Sequence, residues 1–239
     1  MANPLIRKLE QRDHLDEDER LFLIELVGDE RSFSAGQDLV AESSRPSYST
    51  LLLDGFAARY KLLRSGKRQI TAIHIAGDFV DLHSFLLKAM DHGVIALSTC
   101  RVAVVPHRTL LEITETKAHL ARLFWLNTLI DGAIHREWLV AMGRRDARGQ
   151  AAFLLCELYL RLHAVGLVEG TSFRLPLTQA EAGDALGLST VHVNRVLQSL
   201  RRRRLIEWRG GLINVLNWDG LSELAEFDPA YLHLTREAR

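Results

Sequence analysis

The segment Leu177–Leu200 carries five side chains whose types and spacing suit contacts with the edges of DNA bases: Thr190, Val191, Asn194, Arg195 and Gln198. Arginine can form two hydrogen bonds with guanine, asparagine or glutamine can do so with adenine, and valine or threonine can contact the thymine methyl group. Because residues three and four apart share one face of a helix, we expect these side chains to line one edge of a single helix. Ser189 and His192 stand near its start, where they can contact phosphates.

The same segment has the pattern of two short helices joined by a tight turn. Thr178 is a good N-cap and Glu181 completes a capping box, so the first helix is expected over about Gln179–Leu186. Gly187 suits the left-handed residue that ends a helix, and Ser189 can cap the next one. The second helix then has a buried face at Val193, Val196, Leu197 and Leu200. This pattern is typical of a helix-turn-helix, whose second helix enters the DNA major groove.

Arginines and a hairpin pattern follow the second helix. We place the recognition helix over residues 189–204, which includes the run Arg201–Arg204, and regard Thr178 and Arg201 as further candidate DNA contacts. The strands Leu205–Trp208 and Leu212–Leu216 flank a Gly-Gly turn, which predicts the wing of a winged helix. The alternative is a helical hairpin with no role in DNA binding.

The charge distribution supports an anionic partner for this part of the chain. The whole chain has a net charge of zero, yet the stretch from Arg144 to Arg209 holds eleven arginines, no lysines and six acidic residues. Such an imbalance favours one region that binds an anion and another that does not, although charge runs are often only solvated surfaces.

The N-terminal half has the sequence pattern of a β-domain. After an amphipathic helix expected over residues 14–28, short apolar runs alternate with turn residues from Arg31 to Val105. They predict an antiparallel sandwich or barrel with strands at Thr50–Leu53, Phe56–Leu63, Gln69–Ile75 and Val94–Val105.

Helices are expected after Pro106. A short helix is predicted over Arg108–Glu115, and a long one over Lys117–Met142. The long helix could form a coiled-coil seam with a second copy through Leu123, Leu126, Ile130 and Ala133; the alternative is burial in a monomer core. A break is expected at residues 143–146, after which Asp146 can cap a helix. The domains are therefore drawn at 1–116, 117–144 and 145–239.

Composition excludes several classes of protein. The chain has 239 residues, of which 47% are hydrophobic, and no run of 18 apolar residues, so no membrane span is expected. The first residues do not form a secretory signal, and we expect a cytoplasmic protein in which Cys100 and Cys156 are reduced thiols. No CxxC, HExxH, GxSxG or Walker pattern occurs, so neither a metal site nor an enzyme is expected.

The chain resembles the Crp/Fnr family of bacterial regulators. The resemblance rests on Asp146 and Gly149, on LTQAEAGDALGLSTVHVNRVLQSLRRRRLIEW and its Gly-Gly wing, and more weakly on FSAGQDLV, LLLDGFAARYKLL, GKRQITAIHIAGDFVDLH and CRVAVVP. It implies an α+β fold with an N-terminal antiparallel β-roll, a cyclic-nucleotide-binding-like jelly roll. A long dimerisation helix and a C-terminal winged helix-turn-helix would follow, and the chain would form a homodimer.

Several positions depart from the family pattern. Within GDFVDLHSFLLKAMDHGVIAL, Leu82 stands near the glutamate and His92-Gly93 near the Arg-Ser pair of members that bind cyclic AMP, so cyclic AMP is not expected. The N-terminal cysteines of the iron–sulfur branch are absent. Where the carbon-monoxide-sensing branch has a haem-ligating cysteine and histidine, this chain has Asp81 and His83. The candidate effector pocket is therefore Asp81, Leu82, His83 and His92.

The sequence thus predicts a DNA-binding transcription regulator, not an enzyme. We expect a homodimer that binds a palindromic operator in double-stranded DNA and that an unidentified effector in the β-roll controls. RNA polymerase would be a partner if the protein is an activator. Val191 replaces a glutamate that is common in the family, so an altered operator half-site is expected. The alternative is a haem- or gas-binding sensor that uses His83 as a haem ligand.

Overall fold

A computed structural model of the protein describes residues 3–239. They form two compact units. The first contains the described residues up to Lys61 together with Ile73–Gly132 and His233–Arg239, and the second contains Leu62–Ala72 and Ala133–Leu232. Within the described range, no helix is both long enough and apolar enough to cross a bilayer.

Two β-sheets form the N-terminal part. Their strands are β1 (Glu30–Phe33), β2 (Asp38–Val40), β3 (Tyr48–Asp54), β4 (Ala57–Leu62), β5 (Arg68–His74), β6 (Gly93–Ala96) and β7 (Cys100–Pro106). One sheet has the order β1-β7-β3 and the other β2-β6-β4-β5. The single strand predicted over Val94–Val105 is wrong, because the chain turns at residues 97–99 and continues in the other sheet. The strands β1 and β2 were missed because they are only four and three residues long, too short for an apolar alternation to stand out.

Alternation along the central strands separates two apolar cores. In β3, Leu52 packs inside the roll with Val94 and Val102, whereas Leu51 and Leu53 pack on the other side. That second core also holds residues of the flanking helices, among them Leu5, Leu9, Leu23, Leu110, Ile113 and Leu120. Successive side chains of a strand point to opposite faces, so one strand serves both cores.

Helices precede and follow these strands along the chain, and one short helix lies between β5 and β6. They are α1 (Pro4–Glu10), α2 (Glu17–Glu25), α3 (Ser84–Leu87), α4 (His107–Thr116), α5 (Ala118–Arg144) and α6 (Ala147–Ala164). The helix expected over 14–28 is shorter, since Asp16 caps α2 through a capping box with Glu19. Asp146 caps α6 as predicted, by accepting from the backbone N–H groups of Arg148 and Gly149.

The exposed face of the long helix α5 is not the one that the sequence predicted. Leu123, Ile130 and Ala133 of the expected seam are at most 9% exposed, because the chain itself buries them. Instead, Trp125 and Leu129 are exposed. The helix also runs through Gly143 to Arg144 rather than ending at Met142.

The second unit combines helices with a small sheet. It contains α7 (Gln179–Leu186), α8 (Thr190–Arg202), α9 (Trp218–Ala225), a 3₁₀ turn at Pro229–Leu232, and the strands β8 (Val168–Glu169), β9 (Ser172–Arg174), β10 (Ile206–Arg209) and β11 (Leu212–Val215). The strands form an antiparallel sheet in the order β10-β11-β9-β8. The predicted α+β class is confirmed.

A buried carboxylate joins three parts of the second unit. Glu157 in α6 has no exposed surface, and it accepts hydrogen bonds from Trp138 Nε1 of α5 at 3.1 and 3.2 Å. It also accepts from the Tyr231 hydroxyl at 3.1 Å and from Arg161 Nη1 at 3.0 Å. Burial raises the pKa of Glu157, and the Arg161 charge opposes that shift. Buried ionisable groups of this kind need such partners, so the contacts fix α5, α6 and the 3₁₀ turn against one another.

Removing this carboxylate should destabilise the unit. We expect Glu157→Ala to lower the free energy of unfolding by about 3–5 kcal/mol, because it removes the buried carboxylate that pairs with Arg161 and accepts from Trp138 and Tyr231. Glu157→Gln should cost less, since its amide oxygen can still accept from Trp138 or Tyr231. Denaturant titration at pH 7 measures both, with the exposed Glu169→Ala as the control. A loss below ~1 kcal/mol in Glu157→Ala would contradict this role.

Candidate nucleic-acid interface and β-roll pocket

The helix-turn-helix forms as the sequence predicts. Thr178 and Glu181 make a reciprocal capping box at the start of α7, and Gly187 ends that helix with a φ of 65°. The turn is also tight, because a Cβ at Gly183 would lie 2.6 Å from the carbonyl oxygen of Leu188. These contacts hold α7 at the start of α8, which Ser189 caps by accepting from the N–H of His192.

One face of α8 is buried and the opposite face is open. Val193, Val196, Leu197 and Leu200 are buried, and Val193 and Leu197 form a small core with Ala182 of α7. The residues predicted to contact DNA lie on the open side: Thr178, Ser189, Thr190, Val191, His192, Arg195, Gln198 and Arg201 are exposed, and Asn194 is half-buried. No side-chain hydrogen bond or ion pair engages Arg195 within the described part of the chain.

Two open grooves lie along this face. One, of about 320 Å³, is lined by Gln179 together with the five residues first considered for base contacts. The other, of about 580 Å³, is lined by residues that include Arg148, Ser189, His192 and Arg195. Sequence reasoning missed Gln179 and Arg148. Their positions could have indicated a role in these grooves, because each residue lies within two positions of a helix N-cap, Thr178 or Asp146.

The arginine run does not extend the recognition helix to residue 204. The helix ends at Arg202, with Arg203 as its C-cap, and Arg204 has a φ of 55°, so the predicted range 189–204 is too long. Arg201 donates from Nη2 to the carbonyl oxygen of Trp208 at 2.7 Å. It therefore braces the wing, in addition to any contact with phosphate.

The wing has the predicted hairpin form. Strands β10 and β11 pair from Ile206↔Val215 to Arg209↔Leu212. The turn residues Gly210 and Gly211 have φ values of 57° and 76°. Two successive positive φ angles match a turn whose twist suits a two-residue hairpin, and glycine adopts them without steric cost.

The candidate effector residues of the roll are not all together. The Asp81 carboxylate accepts from the backbone N–H of Thr50 at 2.5 Å and from its hydroxyl at 3.3 Å, and burial raises the pKa of Asp81 to about 7. Leu82 packs against the helix-side core. Both residues thus hold the loop in place.

His83 and His92 do come together. Their ring centroids are 5.0 Å apart, and His92 Nδ1 lies 2.8 Å from Asp91 Oδ1. Burial lowers the pKa of each histidine to about 4, with the nearby Arg59 charge acting in the same direction. Both rings are therefore neutral at pH 7. Asp91 was missed because its neighbours in sequence gave no known ligand spacing.

Two protein families match separate parts of the chain. Residues 30–117 match the cyclic nucleotide-binding domain family, and residues 149–224 match the Crp-like helix-turn-helix domain family. The chain belongs to the Crp/Fnr family. It is a transcription regulator with a DNA-binding helix-turn-helix, and the β-roll and winged helix predicted from the sequence are confirmed.

Relatives and solved structures agree with this assignment. The transcriptional activator protein FnrL of Cereibacter sphaeroides is 28% identical over 195 residues, which cover 80% of this chain and 78% of that protein. The fumarate and nitrate reduction regulatory protein of Escherichia coli is 24% identical over 213 residues, or 88% of this chain and 84% of that protein. The structure of FixK2 from Bradyrhizobium japonicum aligns with a TM-score of 0.75 and 25% identity, covering 82% of this chain and 96% of that one.

The roll of this Crp/Fnr regulator does not fit a cyclic nucleotide. The buried Arg59 donates from Nη1 and Nη2 to Asp131 Oδ2, both at 3.0 Å, so a carboxylate already compensates its charge. The His92 ring is neutral at pH 7. At the next position, Gly93, a Cβ would lie 2.6 Å from the Tyr60 ring, so a side chain there would clash with Tyr60. Neither Arg59 nor His92 therefore supplies the uncompensated positive charge that a buried phosphate needs.

The two cysteines of this family member do not provide the ligand set of an iron–sulfur cluster. An iron–sulfur cluster is commonly held by four cysteine thiolates, and the chain has only Cys100 and Cys156. Both are buried, and burial raises the pKa of Cys156 to about 12. The thiols are therefore protonated at pH 7.

Loss of the central arginine should relax base discrimination. We expect Arg195→Ala to cost about 1–3 kcal/mol at one base pair, because a bidentate contact with guanine would be lost. Affinities for duplexes that carry each of the four bases at that position measure the effect. Arg108→Ala, an exposed arginine on α4, is the matched control and should leave the preference unchanged. An unaltered preference in Arg195→Ala would refute the base contact.

Proposed function

We propose that this regulator acts as a homodimer that binds a palindromic operator in double-stranded DNA through two copies of α8. The open face of α8, with Arg195 unengaged at its centre, is the observation that carries the proposal. The proposed contacts are Thr178, Ser189, Thr190, Val191, His192, Asn194, Arg195, Gln198 and Arg201. Residues 145–239 would form the DNA-binding domain, 117–144 the dimerisation segment and 1–116 the sensor.

A free apolar stripe on α5 supports the dimer. Trp125 is 66% exposed, Leu129 55%, Leu139 69% and Val140 47%. At 3.6 residues per turn, these four positions fall within a sector of roughly 100°, so they share one side of α5. Large apolar side chains aligned on one exposed helix face favour a partner, and a second copy of α5 would present the same stripe.

The stripe gives a direct test of the dimer. Trp125→Glu should weaken dimerisation by at least ~30-fold, since a buried interface tryptophan commonly contributes about 2 kcal/mol or more. Sedimentation velocity over a dilution series measures this, with Leu111→Glu on α4 as the control at an exposed leucine. An unchanged dimer in Trp125→Glu, or a monomeric wild type at micromolar concentration, would rule out this interface.

The operator can be identified by selection from random duplexes, whichever genes the protein regulates. The enriched duplexes should carry two inverted half-sites about 34–36 Å apart, one helical turn, as expected for a dimeric helix-turn-helix. Val191, which is 63% exposed, should favour a thymine in place of a cytosine contact. Enrichment of no inverted repeat would contradict the proposal.

Control would come from the roll. The proposed effector pocket lies around His83 and His92, while Asp81 and Leu82 hold the loop that carries His83. If the protein activates transcription, RNA polymerase is the partner that the DNA-bound dimer would contact.

A further inference from the structure

His83, Asp91 and His92 form a cluster that DNA binding does not use. One ligand atom from each side chain lies within 4.8 Å of those of the other two. The His92 side chain is 8% exposed, and the Nε2 atoms of both histidines are buried with no hydrogen-bond partner in the described structure. Buried polar atoms are usually satisfied, so two unpartnered imidazole nitrogens at one place need an explanation.

The chemistry of this donor set points to a metal ion. We propose that His83, Asp91 and His92 bind a divalent transition-metal ion of the zinc class. Two imidazoles and a carboxylate suit such an ion, which commonly takes three protein ligands with water in the fourth position. Hard cations such as Mg²⁺ prefer oxygen ligands and bind this set poorly.

The carboxylate and one imidazole already lie at nearly the separation of two ligands on one ion. Asp91 Oδ1 and His92 Nδ1 are 2.8 Å apart and share one proton in a hydrogen bond. A divalent ion bound between these two atoms would replace that proton, which leaves to solvent. The Asp91 side chain is 76% exposed, which leaves a path from solvent.

The ligands need to close only slightly around an ion. With bonds of about 2.0–2.1 Å in a tetrahedral site, ligand atoms lie roughly 3.3 Å apart. The exposed Asp91 and the half-buried His83 can rotate toward the better-buried His92. His83 is the N-cap of the short helix α3, and the C-cap, Lys88, has a φ of 65°.

The surrounding charges permit a cation. Arg59 is the positive group that acts on both histidines, and its guanidinium is paired with Asp131. With that pair neutral overall, the negative charge of Asp91 is left to attract the ion. This site is independent of the DNA contacts, so its failure would leave the proposed regulator intact.

Calorimetric titration of the chelator-treated full chain with ZnCl₂ tests the proposal. We expect one Zn²⁺ per chain in the wild type and no measurable binding of Mg²⁺. His83→Ala, His92→Ala and Asp91→Asn should each lower Zn²⁺ affinity by at least ~10-fold, since even an indirect metal partner contributes that much. His14→Ala, an exposed histidine outside the cluster, should bind as the wild type does.

Two further readouts separate binding at this site from other causes. Co²⁺ should give visible d–d absorption in the wild type and lose it in Asp91→Asn, whose exposed position leaves folding intact; circular dichroism checks each variant. Absence of Zn²⁺ binding, or equal binding by wild type and Asp91→Asn, would overturn the proposal. A Soret shift with haemin that needs His83, without Zn²⁺ or Co²⁺ binding, would overturn it in favour of haem.

Discussion

The buried carboxylate of Glu157 is the interaction on which the second unit depends. It accepts from Trp138 on the last part of α5, from Arg161 on its own helix and from Tyr231 at the 3₁₀ turn. Burying a carboxylate costs free energy unless hydrogen-bond donors surround it. The elements that carry these donors must therefore all be in place around Glu157 when the unit folds. Helix α6, which carries Glu157, also packs against α8. The position of the recognition helix therefore depends on the Glu157 carboxylate, although that carboxylate lies away from the DNA-facing edge of α8.

The β-roll depends on a different constraint, the alternation of side chains along β3 and β7. Leu52 and Val102 face the interior, while Leu51, Leu53 and Val105 face the flanking helices. The loop between β5 and β6 closes over the interior core, where Asp81 ties it to Thr50. The fold of a cyclic nucleotide-binding domain is thus kept, and the loop between β5 and β6 carries the two neutral histidines, His83 and His92.

Features governed by near neighbours were predicted well from the sequence. The capping box at Thr178, the left-handed Gly187, the cap at Asp146 and the Gly-Gly wing are each decided within a few residues. The buried face of α8 followed from helical spacing alone. The failures have a common cause: the end of α8 at Arg202 and the split of the last predicted strand depend on where other elements lie.

By itself, the sequence determined the class of the protein, because local caps, turns and periodicity specify a winged helix-turn-helix and a strand-rich N-terminal domain. Only the tertiary structure decided which face of α5 is free, since Leu123 and Ile130 are buried against distant residues while Trp125 is exposed. It also decided that Arg201 braces the wing and that His83 meets His92 beside Asp91. Burial and proximity are sums over the whole chain, so spacing within one segment cannot specify them.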